Sequence, residues 1–329
     1  MRVARALKLG GGFAVGALFL WLVLRKVRLA DLGAALAEAR PGWLALGLAC
    51  FLAGYAARAE RWRIMLLRDN PALRWRDCGA VLMIAVAANN LLPLRAGDVV
   101  RAFSFNRRLG ISAATSLTTL VVERLLDTLM LLTLLGAAVL ALRANLAQLL
   151  GVGGWLLVTL SGAILAVLLA PGVFRPLANW GVARVSAVSD KAGGLLADLT
   201  ERVFGALGHI AQGRVMARLL LASACAWLLE GMVFLCTALA LPSLTHVAAA
   251  WLALPLGTLA TILPSTPGFV GTFDYFTALA MRSAGNLLAP STAYALLVHA
   301  MVWLPATLTG ALCWLIVPAS EDREGRIPA

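Results

Sequence analysis

Between Leu219 and Met281 the chain contains no lysine or arginine, and its only acids are Glu230 and Asp274. A water-soluble domain of comparable size carries roughly a quarter charged residues, whereas this chain of 329 residues is 61% hydrophobic and 13% charged. Apolar segments recur at 9–24, 43–67, 78–105, 112–142, 150–170, 217–240, 247–285 and 291–317. Several reach the ~20 residues needed to cross ~30 Å of hydrocarbon. In lipid, backbone groups are satisfied internally by helices or closed barrels, and apolar runs this long are helical. The expected fold is all-α, a polytopic helical membrane protein.

Two of these segments are interrupted. The first reads LLPLRAGDVVRAF (91–103) and the second ILPSTPGFVGTFD (262–274). Both carry L-P-x-x-x-G, so that Pro93 and Gly97 match Pro264 and Gly268, and Gly271 follows in the second. Paired Gly/Pro breaks in the two halves of a membrane protein point to a site built from discontinuous helices. If both are re-entrant hairpins, six full spans remain and an inverted repeat follows; eight full spans is the alternative.

The net charge of +12 reads as membrane topology and attraction to anionic lipid, and no nucleic-acid partner is expected. With six spans, the ten arginines of 58–108 and the six basic residues of 171–218 fall on the cytoplasmic side. The N- and C-termini are then cytoplasmic too, and the first break enters from the cytoplasm, the second from the opposite face. Arg25, Lys26, Arg28 and Arg40 fit this topology poorly. The expected organisation is one membrane domain, 1–319, with halves 1–170 and 217–319. An amphipathic interfacial helix within 171–216 joins them, and a disordered tail follows at 320–329. The segment 9–24 resembles a signal peptide but lacks a cleavage site and reads as a retained helix. The five cysteines show no C-x-x-C spacing, so neither a metal site nor a disulfide framework is expected.

Ionisable residues inside a span are costly and therefore functional candidates. Glu123 and Asp127 share a helix face, with Arg124 between them. Two such carboxylates require a cation or a proton, and Arg61, Arg95 and Arg101 are the candidate partners. They form either a structural ion-pair network or a polar cavity. Glu230 lies mid-span and is expected protonated or paired across helices. Arg58 and Arg61 share one face, Trp62 is expected at the interface, and His299 reads as a core hydrogen-bonding residue. No catalytic or nucleotide-binding motif appears, so the chain is expected not to be an enzyme and to need no cofactor.

These residues resemble the lysylphosphatidylglycerol synthase transmembrane region, or flippase-like domain. The resemblance rests on NNLLPLRAGDVVRAF (89–103), the arginines of Arg61–Arg63, Glu123–Asp127 and Pro264–Asp274. Three departures stand out: Asp98 and Asp274 replace a usual Glu, and Phe269 interrupts a usual Gly-Gly. The resemblance implies handling of membrane lipids, anionic or polyprenyl- or hopanoid-linked, in a bacterial cytoplasmic membrane. Full synthases add a cytosolic aminoacyl-transfer domain, so synthase activity is not expected of this chain alone.

The expected function is that of a flippase-like lipid transporter. Arg61, Arg95 and Arg101, with Asn89, Asn90, Ser265 and Thr266, would receive an anionic head group at the half-helix N-termini. Asp98, Glu123, Arg124, Asp127, Glu230 and Asp274 would form the charge network around it. A lipid-modifying transferase, a small-solute transporter and a scaffold subunit of a lipid-synthesis pathway are the alternatives. A homo-oligomer or lipid-synthesis partner proteins would fit the last.

Overall fold

The computed structural model describes residues 17–22, 24–25, 28–92, 95–142, 154–210, 213–263 and 266–316. Pro93, Pro264, Ser265, the loop 143–149 and the tail 320–329 lie outside them. Every regular element among the described residues is a helix.

Following residues 17–22, which are helical, the named helices are α1 (Leu29–Ala37), α2 (Pro41–Leu66), α3 (Trp75–Leu91) and α4 (Ala96–Phe103). After a single turn at Asn106–Leu109 come α5 (Ala113–Ala141), α6 (Gly154–Leu169), α7 (Pro171–Ser186) and α8 (Asp190–Ile210). The last part holds α9 (Gly213–Ala240), α10 (Ala250–Ala260), α11 (Thr272–Ser283) and α12 (Leu288–Ile316).

Local chemistry sets several boundaries. Pro41 occupies the first turn of α2, where its missing N–H costs nothing. The Ser112 hydroxyl accepts the Thr115 N–H at 3.0 Å and caps α5. Pro171 cannot continue the hydrogen-bond ladder of α6, and the chain bends by 102° between α6 and α7.

Four helices have the length and apolarity of a membrane span: α2, α5, α9 and α12, of 26, 29, 28 and 29 residues. The bent pair α6–α7 makes a fifth if taken as one span. The described residues thus supply four or five spans where six or eight were expected. The difference lies in α6, only 16 residues long, and in the segment 9–24, most of which is outside the description. The helix expected within 171–216 is α8, and α7 precedes it; the two pack on one another, with α8 also lying on α5. Leu207 of α8 is buried in the core there, whereas Leu195 faces outward.

Packing relates the two parts of the chain. If α2, α3, α4 and α5 are exchanged with α9, α10, α11 and α12, the packed pairs map onto one another. Helix α2 packs against α9; α3 against α12 corresponds to α10 against α5. The contacts α3–α4, α4–α5 and α2–α3 correspond to α10–α11, α11–α12 and α9–α10. The core follows this pairing, with one apolar cluster around Trp62, Leu66 and Leu126 and another around Phe234, Leu252 and Tyr294.

Candidate functional site

Each interrupted segment folds back on itself. A Cβ at Gly97 would lie 1.9 Å from the Ala85 carbonyl oxygen, so only glycine lets α4 lie this close to α3. A Cβ at Gly257 would lie 2.3 Å from the Thr277 hydroxyl, which brings α10 and α11 together in the same way. The Asn89 side chain holds the first fold: it accepts the Asp98 N–H at 3.2 Å and donates to the Asp98 carboxylate at 3.0 Å.

The L-P-x-x-x-G register does not survive. Gly97 sits inside the first turn of α4, whereas Gly268 sits in the loop before α11 with φ 69°. The residues that correspond are Asp98 and Asp274, each third in its half-helix. The shared L-P-x-x-x-G pattern recorded the breaks correctly but not their geometry, because the second break is longer. Asp274 reaches back to accept the Gly271 N–H at 2.8 Å, and Gly271 has φ 93°. The half-helix N-termini therefore carry carboxylates of their own, and positive charge for a ligand must come from side chains.

Those side chains line a cavity of about 330 Å³ between α2, α3, α4, α5, α9, α10, α11, α12 and the two breaks. Its wall includes five arginines and four carboxylates. Each carboxylate is paired: Arg58 with Glu230 at 2.9 Å, Arg61 with Asp127 at 2.6 Å, Arg124 with Asp98 at 2.8 Å, and Arg101 with Glu123. Arg61 and Arg101 are each 2% exposed. Aromatic rings support the cations: Arg101 lies over Trp62, and Arg58 over Tyr55 and Trp227. The Trp227 indole N–H donates to Asp127 at 3.0 Å.

One arginine of the wall is left over. Arg95 makes no ion pair among the described residues. Its guanidinium donates to the Thr261 hydroxyl at 3.1 Å and lies over the Phe269 ring. With five arginines against four carboxylates, the wall carries one excess positive charge, counting His299 apart. Three buried donors of lining residues also lack partners, Arg61 Nε, Arg101 Nε and Trp303 Nε1, while the unpartnered buried acceptors belong to residues off the wall. Those three donors are closed off from the cavity itself, so what the wall offers a ligand is its excess positive charge.

The structure redistributes the residues singled out from sequence. Arg61 and Arg101 face the cavity but are committed to carboxylates. Arg95, Asn89, Asn90, Asp98, Glu123, Arg124, Asp127, Glu230 and Gly268 all line it. Thr266 does not; its hydroxyl donates to the Val270 carbonyl at 2.9 Å. Asn90 binds Thr307 and the Trp303 carbonyl of α12. Glu230 is paired across helices by Arg58. Trp62, expected at the interface, is fully buried, its N–H bound by Thr119. Sequence reasoning left Arg58, Trp227 and Trp303 out of the site. An arginine three residues before Arg61 was the available signal for the first; the tryptophans gave none beyond their type.

His299 also faces the cavity. Its Nε2 lies 2.9 Å from the Gly268 carbonyl oxygen and its Nδ1 lies 2.8 Å from Asp274. Asp274 is fully buried. Among the described residues no group of His, Cys, Asp and Glu has the arrangement of a metal site.

Long apolar helices and two interrupted chains of shorter ones, packed around a buried arginine–carboxylate cluster, define a multi-pass helical membrane protein. The chain is a member of the lysylphosphatidylglycerol synthase TM region family, whose sequence profile matches residues 11–310. It is also 25% identical over 332 aligned positions to a protein of Haloferax volcanii named glycosyltransferase AglD. The alignment covers 91% of this chain and 53% of that protein, so the chain spans about half the length of this curated relative. The expectation that the chain is not an enzyme, drawn from missing motifs, is corrected by this relative, which is named as one. Catalytic groups need not form a linear motif when several helices supply them.

Proposed function

We propose that the cavity receives the anionic head group of a membrane lipid and passes it between leaflets while the acyl or isoprenoid tail stays in the bilayer. The observation that carries this reading is the excess cation, Arg95, in a wall whose other arginines are already paired. A phosphate ester supplies the negative charge the wall lacks. A site of about 330 Å³ is at the lower end of the size typical of small-ligand pockets, suited to a head group rather than a whole lipid. The paired arginines keep the net charge low, which favours release as well as capture.

The correspondence of packed pairs between α2–α5 and α9–α12 supports an inverted repeat with two re-entrant hairpins, α3–α4 and α10–α11, meeting at the cavity. The basic loops favour an orientation with both termini on the cytoplasmic side. A second reading has one specific support, the name of the Haloferax volcanii relative: the same cavity holds a lipid-linked head group while a sugar is transferred to or from it.

Reconstitution in vesicles with labelled phosphatidylglycerol tests both. Leaflet exchange that is lost in Arg95→Gln, with lipid mass unchanged, supports translocation. A change in lipid mass when activated sugars are supplied supports transfer. Exchange equal to that of protein-free vesicles rejects the first reading.

A further inference from the structure

We propose that Asp274 and His299 together hold one buried proton, and that this proton is coupled to occupancy of the cavity by an anionic head group. The second half of this proposal rests on the reading given above; the first half does not.

The argument is one of hydrogen count. The Gly268 carbonyl can only accept, so His299 Nε2 at 2.9 Å must carry a hydrogen. His299 Nδ1 stands 2.8 Å from Asp274 Oδ1, and two lone pairs at that separation repel. A hydrogen therefore lies between them, on the ring or on the carboxyl. Either way the pair holds one proton more than a neutral imidazole beside a carboxylate. The other oxygen, Asp274 Oδ2, is occupied by the Gly271 N–H at 2.8 Å. Asp274 is fully buried, and the Phe273 ring packs on the imidazole with centroids 4.8 Å apart. Without the proton, a fully buried carboxylate would rest on the Gly271 N–H and the first turn of α11, with no counter-charge, which is costly.

The neighbours offer no substitute cation. Helix α10 carries no titratable group; α11 adds Tyr275 and Arg282, α12 adds Tyr294 and Cys313, α1 adds Asp31, and α3 adds Arg76, Asp77 and Cys78 at its N-terminal end. Arg58 and Arg61 of α2, which share the cavity with His299, are already paired with Glu230 and Asp127. Glu230 of α9 is already paired with Arg58. The remaining charge near the loop is Arg95, which lies over the ring of Phe269, while His299 binds the carbonyl of Gly268. The excess cation and the proton-bearing pair thus grip adjacent residues of one loop. An anion drawn to Arg95 favours the protonated pair through its field, and by reciprocity the proton favours the anion.

The test uses the full chain in phosphatidylcholine nanodiscs. Imidazole ¹⁵N and carboxyl ¹³C NMR at neutral pH reads the proton directly. Signals of the chain's three histidines are assigned with His299→Gln or, should that variant not fold, by elimination with His209→Gln and His246→Gln. The expected result is either a doubly protonated His299 ring or a protonated Asp274 carboxyl. A singly protonated ring beside an ionised Asp274 overturns the proposal. Phosphatidylglycerol binding is then followed from about pH 6 to 10. Affinity should be lower where the proton is lost than where it is held, a difference absent in Asp274→Asn. Binding that ignores pH overturns the coupling. Arg95→Gln separates the two readings: it should abolish lipid binding and keep the NMR signature. If no phosphatidylglycerol binds to the unaltered protein, the head-group reading and the coupling both fail, and the proton assignment is judged by the NMR alone.

Discussion

Arg95 and Phe269, from the two different breaks, touch: the guanidinium carbon lies 5.4 Å from the centre of the ring. They are also the two non-glycine residues with positive φ among the described residues, at 53° and 61°. Left-handed backbone costs an ordinary residue roughly 1–2 kcal/mol, and such strain persists where surrounding structure enforces it. Both breaks therefore hold a strained residue at the point where they meet.

Arg95→Gln should separate binding from stability. Because Arg95 has no carboxylate partner among the described residues, its loss strands no buried anion, and thermal unfolding in detergent should change little. Phosphatidylglycerol binding should weaken at least about tenfold, the effect of losing one charge-assisted hydrogen bond. Equal binding by the variant rejects Arg95 as the receptor.

The Arg101–Glu123 pair should behave in the opposite sense. Removing one partner of a buried ion pair leaves a stranded charge and costs about 3–5 kcal/mol. Arg101→Leu and Glu123→Leu should each unfold at clearly lower temperature. The double variant should recover much of that loss, because neither charge is then stranded. Additive losses in a double-mutant cycle would show that the two side chains do not act as a pair.

Gly97→Ala probes the first fold-back. Its Cβ would collide with backbone, at 1.9 Å from the Ala85 oxygen, whereas a Cβ at Gly136 would meet nothing within 4 Å. Gly136→Ala should be neutral or stabilising by up to about 1 kcal/mol. Gly97→Ala should lower expression of folded protein and abolish lipid exchange. Comparable melting curves for the two would refute the close packing of α4 on α3.

Asp98→Asn tests the restraint on binding. An asparagine keeps a partner for Asn89 but leaves Arg124 unpaired, so that five arginines then face three ionised carboxylates of the original four. Affinity for anionic lipid should rise about tenfold, and leaflet exchange should slow because release becomes limiting. Faster exchange with unchanged affinity would show that Asp98 has no such role.

Much of this was visible in the sequence, and the reasons for the rest are specific. The four long spans follow from apolar length alone, and the two breaks from proline and glycine set where lipid was expected. Glu123, Asp127 and Glu230 announced themselves as charges inside apolar runs. What sequence could not supply was pairing. Arg61, Arg95 and Arg101 look alike on a line of residues, and only the fold shows that carboxylates take two and leave the third. The L-P-x-x-x-G match misled on register because it compares spacing, whereas Asp98 and Asp274 correspond by position in their helices. His299 looked like an isolated core residue because its partner lies 25 positions away across a loop.

The four arginine–carboxylate pairs of the cavity also have a mechanical meaning. Two of them bolt α4 to α5, and the others tie α2 to α5 and to α9. Among the described residues, no arginine–carboxylate pair reaches α10 or α11. Two hairpins that correspond in packing are therefore fastened by different means: ion pairs tie α4 of the first to α5, whereas α10 and α11 of the second are held by apolar packing and by the Asp274–His299 hydrogen bond.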